Sequence, residues 1–261
     1  MGHERLFETI VGRGSVRVRA PLVCMATQQK HRFRRFAQNT FPASLFERLA
    51  GHKRDVLFFW VPKAAGTSIY TVMLDYGCPR HRWLAPTRPF NNKGFMTFGH
   101  VHLLDLVKAG IVSETYLRRA FKFAFVRNPF DRLVSLFSYL KKLPLPEVPT
   151  TMAFDEFCAK ITERPFDPVG LYNFKGLSQC NPQVDWLFDE RGNLLVDFVG
   201  KYENLDEDFA EVCHRIGIPA PNMPHENKSQ HAPYQNYYNE RTRAAVANFY
   251  RRDLETFGYS F

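Results

Sequence analysis

Residues Val56 to Ser68 read VLFFWVPKAAGTS, and this stretch decides the fold class of the chain. Its first six residues are all apolar, which predicts a strand buried on both faces, as in parallel sheets. Apolar side chains then recur with helical spacing over Ile69–Tyr76, and Gly77 is expected to end that helix. The stretch therefore predicts a strand, a short loop and a helix.

A second strand, loop and helix are predicted further along the chain. The apolar run Phe121–Val126 predicts the strand, and Asn128 and Pro129 supply an N-cap and a first helical residue. Hydrophobic patterning predicts further elements, which are helices over Phe154–Ile161, Leu205–Ile216 and Glu240–Phe257 and a third strand over Asn193–Val199. This alternation predicts an α/β fold with a central parallel sheet flanked by helices.

Composition and charge limit the classes of protein to which this chain can belong. Hydrophobic residues make up 45% of the 261 residues, which excludes collagen-like and disordered chains. The formal net charge of +9 favours anionic partners such as phosphates, sulfated sugars, nucleic acid or lipid headgroups. Basic residues cluster in residues 1–50, which we interpret as an N-terminal extension, followed by one domain over residues 51–261.

The numbers and spacing of the cysteines and histidines argue against disulfide bonds and against a bound metal ion. The five cysteines are odd in number and contain no CxxC pair, which disfavours a disulfide framework and a zinc site and favours a reducing compartment. The nine histidines form no HExxH motif, so we expect no metal. No signal peptide or membrane anchor is recognisable, so we expect a cytoplasmic protein, with a truncated Golgi-type chain as the alternative.

The loop after the first strand is a candidate phosphate site. Backbone N–H groups at a helix N-terminus bind anions, and small residues let the backbone approach them. Lys63 would add a positive charge, and a set of neighbours would hold the phosphate, namely Ala64, Ala65, Gly66, Thr67 and Ser68. The loop is not a Walker A motif, because Lys63 precedes Gly66. Taken alone, an ordinary loop with an exposed lysine is an equally good interpretation.

The second unit offers a second anion site. Arg127 stands at the end of the predicted strand, and Ser135 lies eight residues further on, inside the helix. An arginine fork and a hydroxyl group can bind one phosphate together. The alternative for Ser135 is a hydroxyl bonded to the preceding helical turn or facing solvent.

Together these motifs resemble the PAPS-dependent sulfotransferases, whose donor is 3'-phosphoadenosine 5'-phosphosulfate. Pro62–Ser68 looks like the 5'-phosphosulfate loop of that family, and Phe125–Ser135 looks like its 3'-phosphate motif. Phe98–Asp105 resembles the segment that carries the catalytic histidine in carbohydrate sulfotransferases of the heparan 2-O, chondroitin and HNK-1 type. The resemblance continues in Lys201–Leu205 and His225–Ser229. It implies a P-loop-like three-layer fold.

The resemblance also implies a role for each site residue. His100 would be the general base, because a histidine is suited to remove the proton of a sugar hydroxyl near neutral pH. Lys63 would stabilise the leaving nucleotide. Lys228 and Ser229 match the part of the family that closes over the nucleotide, although Lys228 could equally be a solvated surface charge. His102 either orients the acceptor or is structural.

Three functions follow as hypotheses. The first is transfer of the sulfuryl group of PAPS to a hydroxyl of a carbohydrate acceptor, which could itself be anionic. The second is a nucleotide or sugar kinase that uses the same phosphate loop, which the missing Walker lysine opposes. The third is a non-enzymatic module that binds anions or nucleic acid, which only the positive charge favours. The first explains the most residues, and it requires no nucleic acid partner and no membrane span.

Overall fold

A parallel sheet of four strands forms the centre of the protein, in the order β2-β1-β3-β4. The computed structural model describes residues 54–76, 78, 90, 92–163, 177–221, 223 and 232–261, all within the compact unit of residues 42–261. The strands are β1 (Val56–Phe59), β2 (Phe95–Thr97), β3 (Phe121–Val126) and β4 (Phe198–Lys201). The predicted boundary between residues 50 and 51 lies outside the described residues. The predicted central parallel sheet is confirmed.

Helices connect and flank these strands. The described α-helices are α1 (Gly66–Asp75), α2 (Leu103–Lys108), α3 (Glu114–Arg119), α4 (Pro129–Leu140), α5 (Phe154–Glu163), α6 (Val184–Leu187), α7 (Leu205–Ile216), α8 (Glu240–Phe249) and α9 (Arg251–Phe257). The N-cap of α4 is as predicted, because the Asn128 side chain accepts a hydrogen bond from the Phe130 N–H and Pro129 is the first helical residue. The Gly77 position lies outside the described residues, and α1 ends at Asp75.

The order of the strands places the loops that follow β1 and β3 beside each other. From β1 the chain crosses to β2 on one side, and from β3 it crosses to β4 on the other. Right-handed crossovers that run in opposite directions cover opposite faces of a sheet, so a crevice opens between the carboxyl ends of β1 and β3. Both candidate phosphate loops of the sequence lie at this switch point.

The third predicted strand was placed wrongly. The prediction was Asn193–Val199, but β4 begins at Phe198. Leu194 forms an isolated antiparallel bridge with Phe188 instead. Pairing with β3 begins only after Asp197, whose N–H donates to the Lys122 carbonyl oxygen at 2.7 Å. An apolar run does not show at which of its residues the pairing with the neighbouring strand begins. The three-residue β2 was not predicted, because it is too short to show periodicity.

The predicted C-terminal helix Glu240–Phe257 is divided into α8 and α9. The break falls at Tyr250, whose φ and ψ of −97° and 19° interrupt the helix. The Tyr250 hydroxyl donates to the Cys180 carbonyl oxygen at 2.6 Å in a buried position. Neither glycine nor proline lies at the break, so the sequence contains no local signal for it.

Aromatic side chains fill two buried clusters. In the first cluster, around the sheet, the rings of Phe58 and Phe123 stack with 5.0 Å between their centroids. The second cluster joins α4, α5 and α8, and Phe137 and Phe157 lie 5.0 Å apart in it. Burial of such side chains contributes roughly 1.5–3 kcal/mol each to the free energy of folding.

Within the described parts of the chain, no helix has the length and apolar character needed to cross a membrane.

Candidate functional site

The loop between β1 and α1 has an unusual backbone. Lys63 and Ala65 have φ angles of 64° and 60°, in the left-handed region that few residues other than glycine adopt. Two left-handed residues flanking Ala64 turn successive N–H groups towards one side, which forms a concave anion site. Thr67 and Ser68 lie in the first turn of α1, where the helix supplies no carbonyl partner for their N–H groups. The loop therefore has the backbone of a phosphate site.

Gly66 has a reason to be glycine that the sequence did not suggest. A Cβ atom at this position would lie 1.6 Å from Nε1 of Trp60. Close approach of a ligand was the predicted reason for Gly66, whereas the structure shows the Trp60 indole packed against its backbone. The glycine thus lets the last residues of the strand fold back on the first turn of α1.

Lys63 is a half-buried cation in the loop between β1 and α1. Its Nζ atom lies 4.4 Å from the ring centroid of Tyr139, which is 39% exposed. Burial, together with the positive charges of Arg127 and Lys142, lowers the pKa of Lys63 to about 8. A bound anion would oppose this lowering, because it stabilises the charged amine. Lys63 is half-buried rather than exposed, and the binding of phosphate by this loop stays a prediction.

Arg127 is held in place from two sides. Its Nε and Nη2 atoms donate to one carboxylate oxygen of Asp131 at 2.9 and 2.7 Å. Its guanidinium carbon lies 4.0 Å from the ring centroid of Tyr202. The side chain is buried, and the carboxylate and the aromatic ring fix the plane of its fork. Asp131 thus occupies the Nε and Nη2 atoms of the fork.

One face of α4 connects the two cations. Asp131, Ser135 and Tyr139 follow each other at intervals of four residues, so they lie above one another on the helix. Arg127 rests on Asp131 at one end of this row, and Lys63 lies over Tyr139 at the other. The row spans roughly 12 Å along the axis at 1.5 Å per residue. Arg127 and Lys63 are therefore both placed along one face of this helix.

Ser135 lies in the middle of this row. It is buried, so the solvent-facing interpretation is wrong. On the helix its side chain lies between Asp131, which bonds to Arg127, and Tyr139, which contacts Lys63.

His100 approaches the same edge of the sheet from the segment after β2. Its Nδ1 lies 2.9 Å from the Trp60 carbonyl oxygen, and its ring contacts the Trp60 indole edge-on at 5.5 Å. Because a carbonyl oxygen can only accept, Nδ1 donates, and in the neutral ring Nε2 is then the nitrogen that carries the lone pair. The half-buried imidazole is thus fixed in the tautomer that a general base requires.

His102 takes a different position. It precedes α2, and its ring contacts that of Phe59 edge-on, with 6.4 Å between the centroids. His100 contacts Trp60 and His102 contacts Phe59, so the two histidines have different neighbours. The other two predicted nucleotide residues, Lys228 and Ser229, lie outside the described residues.

Several residues of the site were not predicted. Asp131 could have been found, because it stands four residues after Arg127 at the spacing of a helical ion pair. Tyr202 and Tyr139 reach the cations from remote parts of the chain, and no local pattern identifies them. The same holds for Gln183, whose side chain bonds to the Arg127 backbone across 56 positions of sequence.

Comparison with known proteins decides the family. Residues 49–260 match the Sulfotransferase family, which is most of the chain. The chain belongs to the sulfotransferase family. An uncharacterized protein of Archaeoglobus fulgidus is 30% identical to this sulfotransferase over 97 residues, which are 37% of this chain and 68% of the archaeal protein.

Two solved structures are similar to this sulfotransferase. Mouse sulfotransferase SULT7A1, crystallised with PAP, is 14% identical with a TM-score of 0.49, and the match covers 85% of this chain and 88% of SULT7A1. Retinol dehydratase, crystallised with androsterone and the inactive cofactor PAP, is 16% identical with a TM-score of 0.36, and the match covers 75% of this chain and 63% of the dehydratase. The predicted family is confirmed by the family match.

Proposed function

We propose that this sulfotransferase transfers the sulfuryl group of PAPS to a hydroxyl of a carbohydrate, with His100 as general base. The observation that carries the proposal is the hydrogen bond from His100 Nδ1 to the Trp60 carbonyl oxygen. It sets the tautomer in which Nε2 carries the lone pair, and it holds the ring beside Trp60, which lies two residues before the phosphate loop begins at Pro62. A base and an anion site therefore meet at one edge of the sheet.

The residues of the crevice fit a donor with two phosphate positions. The loop over residues 63–68 suits the 5'-phosphosulfate, because it combines left-handed backbone, a helix N-terminus and the Lys63 cation. Arg127 and Ser135 suit the 3'-phosphate, since an oriented guanidinium and a buried hydroxyl are placed along the same face of α4. Charge favours this assignment as well, because burial of Lys63 near Arg127 is costly unless an anion is bound.

The chain's own residues supply what sulfuryl transfer requires. PAPS, when bound, provides an activated sulfuryl group. His100 Nε2 takes the proton of the acceptor hydroxyl as its oxygen bonds to sulfur. The bond between sulfur and the phosphate oxygen breaks at the same time, and Lys63 stabilises the electron pair left on that oxygen. The products are a sulfate ester and 3',5'-adenosine bisphosphate, and the proton leaves His100 to solvent.

The carbohydrate acceptor is supported by three features. The segment Phe98–Asp105 resembles the histidine segment of carbohydrate sulfotransferases. The exposed Tyr139 presents an aromatic surface near Lys63, and aromatic rings pack against the apolar faces of sugars. Lys142 is exposed and close enough to lower the pKa of Lys63, so it would attract an anionic sugar.

Calorimetric titration tests the donor. We expect 3',5'-adenosine bisphosphate to bind the wild-type chain with micromolar affinity in the absence of magnesium, and to bind at least tenfold more tightly than ADP or ATP, because only it carries the 3'-phosphate that Arg127 can contact. Equal binding of the three nucleotides, or a preference for ATP that requires magnesium, would contradict the proposal and favour a kinase.

The acceptor is tested by transfer from labelled PAPS to neutral and anionic oligosaccharides. Simple alcohols and phenols serve as the comparison, at matched concentrations. We expect label in the oligosaccharides, and in anionic ones before neutral ones because of Lys142. Label confined to the phenols would remove the carbohydrate acceptor while leaving the PAPS donor in place.

The pH dependence of donor binding follows from the lowered pKa of Lys63. Below about pH 8 the amine is charged before binding, and above it the charge must be regained by taking up a proton. The affinity for the bisphosphate should therefore be flat from pH 7 to 8 and fall by up to about tenfold per unit above pH 8. Titrations at pH 7, 8 and 9 measure this. Lys142→Gln removes a neighbouring cation and should move the break to higher pH, whereas an unchanged break would show that another group is responsible.

A further inference from the structure

The strand β3 ends one residue before Arg127, and a side chain continues its hydrogen bonding. The last backbone pairing of β3 with β4 joins Val126 and Lys201. At Arg127 the partner is Gln183, whose Oε1 accepts from the Arg127 N–H at 2.9 Å and whose Nε2 donates to the Arg127 carbonyl oxygen at 2.8 Å. Gln183 thus replaces a neighbouring strand at the residue that carries the guanidinium.

Gln183 is itself fixed by a buried carboxylate from the C-terminal helix α9. Asp253 accepts from the Gln183 N–H at 2.8 Å, from its Nε2 at 3.2 Å and from the Val184 N–H at 2.9 Å. Both Gln183 and Asp253 are 0% exposed. Burial raises the pKa of Asp253, and the nearby Arg132 of α4 opposes that shift. The amide cannot rotate without losing a bond to either Arg127 or Asp253.

The position of the Arg127 backbone matters for what its side chain can bind. Asp131 and Tyr202 fix the plane of the guanidinium, but both act only if the Cα atom of Arg127 stays where β3 leaves it. A displacement of about 1 Å in a binding group can cost up to 10²-fold in function. Two hydrogen bonds to consecutive backbone groups prevent such a displacement.

We infer that Gln183 is a positioning residue for recognition of the 3'-phosphate, acting through the Arg127 backbone and anchored by Asp253. The inference rests on the proposed function, since it assigns the 3'-phosphate to Arg127. A contribution of Gln183 to folding alone would weaken the binding of every nucleotide equally. A positioning role weakens only the binding that depends on the 3'-phosphate.

The test compares 3',5'-adenosine bisphosphate with ADP, which lacks the 3'-phosphate, by calorimetry on the wild type and on Gln183→Leu. Leucine approaches glutamine in size but has no polar atoms. We expect the affinity for the bisphosphate to fall by about tenfold or more in the variant, with a change of less than threefold for ADP. Arg127→Ala provides the benchmark for complete loss of the 3'-phosphate contact, and Gln183→Leu should move the ratio of the two affinities in the same direction.

A second variant and a control separate position from stability. Gln183→Glu keeps an oxygen that can accept from the Arg127 N–H but loses the donor to the Arg127 carbonyl oxygen, so its ratio should fall between those of the wild type and Arg127→Ala, a comparison that stays measurable even if Gln183→Leu does not fold. Tyr250→Phe removes one buried hydrogen bond near Asp253, to the Cys180 carbonyl, without touching Arg127. It should lower the melting temperature and leave the affinity ratio unchanged.

Two outcomes would overturn the inference, and they are distinguishable. A wild-type chain that binds ADP and the bisphosphate equally would reject the proposed function and the inference with it. A wild type that prefers the bisphosphate, together with Gln183 variants that keep the full preference, would reject the inference alone.

Discussion

Replacing His100 with alanine is expected to lower the rate of sulfuryl transfer by about 10²–10⁴-fold, the usual contribution of a general base. The reason is that the acceptor hydroxyl would lose the group that removes its proton. That group is the His100 imidazole, which a hydrogen bond to the Trp60 carbonyl oxygen holds near the end of β1. Binding of 3',5'-adenosine bisphosphate should change by less than about 1 kcal/mol, since a base acts in the chemical step.

The measurement is a single-turnover rate with labelled PAPS, combined with calorimetry of the bisphosphate. His214→Ala is the matched control, because His214 is exposed on α7, away from the carboxyl edge of β1. A rate that stays within threefold of the wild type would remove His100 from the mechanism. A large loss of nucleotide binding would instead assign it to the donor site.

Replacing Lys63 with alanine is expected to lower kcat by about 10²–10³-fold, the range for loss of one donor that stabilises developing charge. Negative charge grows on the bridging phosphate oxygen during transfer, so the cation is needed more in the transition state than in the bound state. Lys63→Arg should not restore the rate, because a planar guanidinium does not replace a compact ammonium over the Tyr139 ring.

For Lys63→Ala, steady-state kinetics with varied PAPS separates a loss of kcat from a loss of affinity for the donor. We expect kcat to fall far more than the affinity for the bisphosphate. Lys160→Ala removes one positive charge from α5, where Lys160 bonds to the Glu147 carbonyl, and should leave both unchanged. If Lys63→Ala raised only KM for PAPS, the lysine would bind the donor without stabilising the leaving group.

The sequence alone was sufficient for the parts of the protein that depend on local pattern. The apolar run at Val56 and the run at Phe121 identify β1 and β3, since a strand buried on both faces has no polar positions. Asn128 and Pro129 fixed the start of α4 by their own backbone chemistry. The two phosphate loops follow directly from these elements.

The tertiary structure decided the parts that depend on distant partners. The start of β4 is set by pairing with β3. The break at Tyr250 falls at a buried residue that bonds to the distant Cys180 carbonyl, and it too has no local signal. The tautomer of His100 depends on Trp60, forty residues away. The orientation of Arg127 depends on Tyr202 and Gln183, which folding brings to it. Residue types and spacing reveal which chemistry is available, whereas only packing fixes where each group points, because contacts between distant residues leave no periodic trace in the sequence.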